Sequence, residues 1–367
     1  MESALAIGLM SGTSLDGVDA ALVDFSGPAP CVRATHFATF APALRDELFA
    51  LQSGGANEIE RAALAANGLA RAYAAGVDAL LQDAGTSAGS VRAIGAHGQT
   101  VRHRPELGFT IQLNNPTLLA ELTRITVVAD FRSRDVAAGG QGAPLAPAFH
   151  RAFFGSAIER RAVVNVGGIA NLTLIGKDGG TRGFDTGPGN VLMDFWCERH
   201  TGRSFDDAGA WAGTGKVVPG LLEVMLRDPY FARPAPKSTG RDLFNPAWLA
   251  RQIAQCSIVE ALEPSDVQAS LLELTARSIA DGMAAQAVDA IFVCGGGARN
   301  EGLMQRLQAL MGATPVRSTA AIGIPPDWVE AVAFAWFALQ AIHGKPANLP
   351  QVTGARGLRV LGAIYPA

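Results

Sequence analysis

GLMSGTSLDGVDAALVDF, residues 8–25, decides how this chain is read. Apolar residues run into Gly, Ser and Thr, two aspartates follow, and the chain then turns apolar again. The pattern predicts two strands, ALAIGLM and VDAALVDF, joined by a polar turn. A short turn between antiparallel strands exposes several backbone N–H groups together. Gly12 lets the backbone approach a ligand closely, and Ser11, Thr13 and Ser14 add hydroxyl donors. Such a concave array suits phosphate oxygens, with Leu15, Gly17 and Val18 completing the stretch. Asp16 and Asp19 repel phosphate directly. They fit if a divalent ion stands between them and the phosphates, Asp16 holding it through water. An ordinary hairpin built from the same residue types is the alternative.

The motif has echoes. RAVVNVGGIANLTLIG, residues 161–176, is again strand, small polar turn, strand, with Asn165, Gly167 and Gly168 at the turn. A third glycine turn, CGGGARN at 294–300, follows the apolar IFV and contributes Gly295, Gly296, Gly297 and Asn300. Any one of these turns can serve tight packing alone. Three at strand ends favour nucleotide binding. Between them the spacing predicts a helix over 58–83, a strand in VRAIGAHGQT, a helix opened by Pro116, the strand TVVADF and a helix through 145–154. A strand ends at Asp185, and Pro188 opens a helix through 189–200. A last apolar helix covers WVEAVAFAWFALQAI. Alternating strands and helices argue an α/β fold in two similarly built halves. The halves are expected at 1–140, joined by the tail 345–367, and at 141–344.

The 367 residues suit two domains, and 49% hydrophobic content supplies their cores. A net charge of −3, from 30 basic and 33 acidic residues, leaves no footprint for nucleic acid or an anionic membrane. The longest apolar run, AVAFAWFALQAI, is too short to span a bilayer. The N-terminal segment lacks the basic flank of a secretory signal. Four cysteines, at 31, 197, 256 and 294, form no CxxC and point to a reducing compartment, with the cytoplasm as default.

GLMSGTSLDGVDAALVDF, AHGQT, NVGGIANLTL, GFDTGPGN, CGGGARN and NLPQVTGA together resemble the anhydro-N-acetylmuramic acid kinase family of the hexokinase–Hsp70–actin superfamily. The resemblance implies two ribonuclease H-like halves about an interdomain cleft. It implies an enzyme that opens 1,6-anhydro-N-acetylmuramic acid with water and phosphorylates the product at its sixth position, using ATP and Mg2+, in peptidoglycan recycling. Sugar and ATP are then the partners, and a homodimer is the family expectation. Another sugar or carboxylate kinase of this fold is the alternative, and a nucleotide-switched binding protein a more distant one. Met10 and Asn165 stand where the wider superfamily carries acids beside its phosphate turns, so the general base must come from elsewhere.

Asp185 of DTGPGN is the residue the family uses as base. One base can suffice, because the leaving oxygen is captured by phosphorus rather than by a second carboxylic acid. His97 and Gln99, at a strand's C-terminal end, are candidates for the sugar or the water. Arg132 offers a fork for the lactyl carboxylate, with Asp130 to orient it. Surface ion pairing is the alternative for both. Glu330 faces the nucleotide or serves the N-terminus of its own helix. Ser11 is a candidate sugar contact as well.

Overall fold

The opening hairpin forms as its sequence demands. β1 (Leu5–Met10) and β2 (Gly17–Asp24) pair antiparallel, Met10 opposite Asp19. β3 (Cys31–Thr39) adds to β2, while β4 (Ala93–Ala96) lies parallel to β1. β5 (Gln99–Arg104) and β6 (Phe109–Leu113) form a separate hairpin, and β7 (Val127–Ala129) lies parallel to β4. The structure, a computed structural model, describes residues 4–12, 15–256 and 262–367. Thr13 and Ser14 of the first turn lie outside them.

Alternation along β1 assigns its two faces. Ile7 and Leu9 enter one core with Leu69, Tyr73 and Val77 of the helix Glu58–Asp83. Gly8 faces the helix Val329–Ile342, buried almost all round. A Cβ at Gly8 would lie 1.7 Å from the Ala331 carbonyl oxygen, and one at Gly95 on β4 would lie 2.0 Å from that of Phe334. The helix therefore rests on backbone, which is why a glycine interrupts each apolar strand. Gly8→Ala is expected to cost about 1–3 kcal/mol, the usual range for overpacking, read as a lower thermal midpoint. An unchanged midpoint would show that the helix withdraws freely.

The second sheet repeats the plan. β8 (Arg161–Val166), β9 (Ile169–Ile175) and β10 (Thr181–Pro188) run antiparallel in series. β11 (Ala290–Cys294) lies parallel to β8, and β12 (Val316–Ser318) parallel to β11. The second sheet's order is β10-β9-β8-β11-β12. β13 (Ala363–Tyr365) closes the first sheet against β7, giving β13-β7-β4-β1-β2-β3. Strand for strand, β8 matches β1 and β10 matches β3, with the same parallel and antiparallel senses.

The chain divides into two units, Met1–Phe153 with Gly323–Ala367, and Phe154–Ile322. The sequence drew its lines at 140 and 344. The contacts draw them at 153 and 322, since the helix Val329–Ile342 packs on β1 and β4. One element departs from expectation. β10 runs on through Pro188, and the following helix is Val191–Thr201. Among the described residues no helix is long and apolar enough to cross a membrane.

Candidate active site

In the first unit, chemistry gathers where β1, β4 and β7 end. Ser11, buried, donates its hydroxyl to the Gly98 carbonyl at 3.2 Å and shares a hydrogen bond with Tyr73 Oη at 2.8 Å. Gln99 Nε2 donates to the Gly12 carbonyl at 3.2 Å, bracing the phosphate turn, and Leu15 enters its core with φ of 58°. Gly17 and Val18, both buried, begin β2. His97 accepts at Nε2 from Arg132 Nη2 at 2.9 Å, and Arg132 Nη1 donates to the Gly142 carbonyl at 2.9 Å. Burial, then the neighbouring Arg132, pushes the His97 imidazolium down to about 3. His97 is thus neutral and carries its proton on Nδ1. Asp130, exposed, follows β7 with φ of 57°.

An acidic group surrounds the same turn. Burial pushes the Asp19 carboxyl up to about 7, helped by the charges of Asp16, Glu330 and Asp327. The Glu330 carboxyl is also raised, by desolvation at its inner side although the residue stays partly open to solvent, and Arg132 opposes this. Among the described residues no three potential ligands converge to hold a bare metal ion.

In the second unit, the turn at Gly167–Gly168 is laced from behind. The Gly167 carbonyl accepts from Asn190 N at 2.8 Å, and the Gly168 carbonyl from Gly189 N at 2.9 Å. Because a trans peptide sets N–H opposite C=O, carbonyls held inward leave the outer side of the turn to donors. Asn165 pairs with Cys294 on β11, beside Gly295. A Cβ on Gly295 would meet Asn165 Oδ1 at 2.4 Å, and its φ of 77° suits glycine. Asn300 caps the helix Glu301–Met311 through Leu303 N, at 2.9 Å. Gly296, Arg299, Asn300, Asn190, Asp194 and Asp207 border a cavity of about 310 Å3. Gly297 is buried beneath that turn. Burial pushes the Asp194 carboxyl up to about 7, against Arg241.

Asp185 lies in β10 at a bulge opposite β9. Its carboxylate accepts from Ser238 Oγ at 2.9 Å and Thr239 N at 3.0 Å, while its own N–H donates to the Lys237 carbonyl at 3.0 Å. Burial raises its carboxyl above the usual range, and the two donors oppose this. Tyr230 Oη donates to the Asp185 carbonyl at 2.7 Å.

The chain, from residue 4 to residue 367, matches the family described as anhydro-N-acetylmuramic acid kinase. The chain belongs to the anhydro-N-acetylmuramic acid kinase family. The protein of that name from Bordetella petrii is 60% identical over 367 residues, covering 99% of this chain and 96% of its own. The one from Pseudomonas putida is 56% identical, covering 99% and 100%. The fold is that of the hexokinase–Hsp70–actin class. Component A of the (R)-2-hydroxyglutaryl-CoA dehydratase of Acidaminococcus fermentans superposes with a TM-score of 0.51 at 11% identity, over 92% of this chain and 98% of that one.

For this kinase the sequence reading left out several groups. Ser238, Thr239 and Arg241 come from KSTGRD at 237–242, a polar cluster after Pro236 that signals a working loop. Arg241 Nη2 lies 3.8 Å from where a Gly168 Cβ would stand, which puts a guanidinium at the second turn. Asn114 stands beside Gly98, with neither end of its buried amide hydrogen-bonded among the described residues; Gln99 Oε1 is likewise unbonded. No local pattern marks Asn114.

Proposed function

We propose that Asp185 is the general base of this kinase and that the glycine turns hold its nucleotide. The enzyme opens 1,6-anhydro-N-acetylmuramic acid and phosphorylates it with ATP to N-acetylmuramic acid 6-phosphate, a step of peptidoglycan recycling. The observation that carries the residue assignment is the Asp185 carboxylate. It is fixed by two donors yet raised in pKa by burial, so it is held in place and still basic enough to take a proton.

The anhydro sugar has no free sixth hydroxyl, because that oxygen bridges to the anomeric carbon. Asp185 takes one proton from water as the water oxygen bonds to that carbon. The bond from the anomeric carbon to the bridge oxygen breaks, and its electron pair stays on oxygen. This oxygen then bonds to the γ-phosphorus, and ADP leaves. Each unit has phosphate-suited donors of its own, the first turn in one and the outer side of Gly167–Gly168 with Arg241 in the other, and donors of this kind stabilise a transferring phosphoryl group. The cavity beside Gly296 and Asn300 takes the nucleoside, where Asp194 can accept from ribose hydroxyls.

On the sugar side, Arg132 keeps its charge while bonded to a neutral imidazole and a carbonyl, and it suits the lactyl carboxylate. The unbonded amide atoms of Asn114 and Gln99 suit the N-acetyl group, which offers one donor and one acceptor. Mg2+ fits the acidic group. Burial chiefly raises the Asp19 carboxyl, and Asp16, Glu330 and Asp327 add to it, so a cation beside them would relieve that repulsion. Since no three potential ligands converge among the described residues, Asp16 and Asp19 would hold it through water. The ion would neutralise charge on the phosphates. Four free cysteines favour the cytoplasm as the place of work.

Heavy-oxygen water tests the route. Label is expected at the anomeric hydroxyl and absent from the transferred phosphate. Labelled phosphate would mean separate hydrolysis of ATP. For the ion, Asp16→Asn is expected to raise the Mg2+ concentration giving half-maximal rate. An unmoved half-saturation point would assign Asp16 to the turn alone.

A further inference from the structure

The loop that holds Asp185 also lines a second cavity, of about 410 Å3, built wholly within the second unit. Arg182 of β10, with Arg233 and Lys237 of the loop, brings three cations to it, and Asp281 is the single acid. Phe184, Phe231 and other apolar side chains form much of the remaining wall, with Thr186, Ser278 and Gln286 as its uncharged polar members. Among the described residues neither arginine pairs with a carboxylate; Arg233 lies over the Tyr230 ring, 5.8 Å from its centroid. Lys237 Nζ lies 4.7 Å from the same centroid and donates to the carbonyls of Tyr230 at 3.3 Å and Phe231 at 3.1 Å. Burial, then Arg233, presses the Lys237 ammonium below the ordinary lysine range. Clustered cations with so little compensation favour a bound anion.

We propose that this cavity binds a phosphomonoester dianion and that its occupancy steadies the loop holding the Asp185 carboxylate. Two guanidinium forks and an ammonium match a dianionic phosphate better than one carboxylate. The volume and the apolar wall leave room for a sugar's carbon skeleton. The coupling path is short. Lys237 presents its side chain to the cavity and its carbonyl to Asp185 N, and the next two residues bind the carboxylate. Tyr230, under both cations, donates to the Asp185 carbonyl. The coupling rests on the reading of Asp185 as base; the binding site does not.

The test titrates inorganic phosphate and, separately, N-acetylglucosamine 6-phosphate into the full-length enzyme saturated with a non-hydrolysable ATP analogue, which fills the phosphate turns. Calorimetry is expected to show binding that Arg182→Ala/Arg233→Ala weakens about 100-fold, since each lost charged contact is worth roughly tenfold or more. Tighter binding of the sugar ester identifies a phosphorylated sugar as the ligand, and equal binding identifies free phosphate. Both support the site. The anion is expected to change kcat of the unsubstituted enzyme, while kcat of the double variant should be the same with and without the anion. Binding that survives in the double variant, or no binding in either protein, overturns the proposal. Lost binding with an unmoved kcat overturns the coupling alone. Asp185→Asn should still bind the anion, so a wrong base and a wrong site fail differently.

Discussion

Asp185→Asn is expected to lower kcat by ~10²–10⁴, the usual worth of a general base, while leaving affinity for ATP and sugar nearly unchanged. Asparagine is nearly the same size, and its amide oxygen can still accept from Ser238 Oγ or Thr239 N. What it cannot do is take a proton from water. The pH profile supplies a second reading. A base must be ionised to act, and burial raises this carboxyl. Activity is therefore expected to fall, as pH drops, at a point above the ordinary aspartate range, and the variant's residual rate should lose that limb. Near-normal turnover by the asparagine variant would sink the assignment.

Asp135→Ala is expected to be the most destabilising single change outside the cores. Asp135 is 0% exposed. Its Oδ1 accepts from Asn348 Nδ2 at 2.8 Å and Thr353 Oγ1 at 2.9 Å, and its Oδ2 from Gly142 N at 2.8 Å. Alanine would take the acceptor from three buried donors at once, leaving Asn348 Nδ2 with the Gly357 carbonyl at 3.2 Å and Thr353 Oγ1 with the Leu349 carbonyl at 3.4 Å. Removing one side of such a network typically costs about 3–5 kcal/mol. Denaturant unfolding should report that loss. The same carboxylate fixes Gly142, whose carbonyl accepts from Arg132. KM for the sugar should rise more than KM for ATP, in any variant folded enough to assay. Equal rises in both would leave Asp135 with a purely structural role.

The sequence was most legible where meaning is local. Apolar strands running into small polar turns mark β1–β2 and β8–β9 without help from distant residues. The helix Glu58–Asp83 is written in its buried Leu69, Tyr73, Val77 and Leu80. Pro188 misled because two rules compete for it. Proline suits a first helical turn, but it also suits the end of a sheet-edge strand, where no partner needs its N–H. β10 is such an edge. The groups that hold Asp185 went unread because Ser238 lies 53 residues away from it. Asp135 and Asn348 are 213 apart. Only the folded chain brings such pairs together.

The helix Val329–Ile342 lies directly on β1 backbone at Gly8, and Glu330 is one residue from that contact. The hydrogen atom of a glycine thus acts as a shim. It sets the standoff of a rigid rod and, with it, how strongly the Glu330 charge is felt by Asp19 and Arg132. A methyl inserted at Gly8 would lift the rod and detune both groups together. Electrostatic calibration of the phosphate turn is therefore written partly in a residue that has no side chain and touches no ligand.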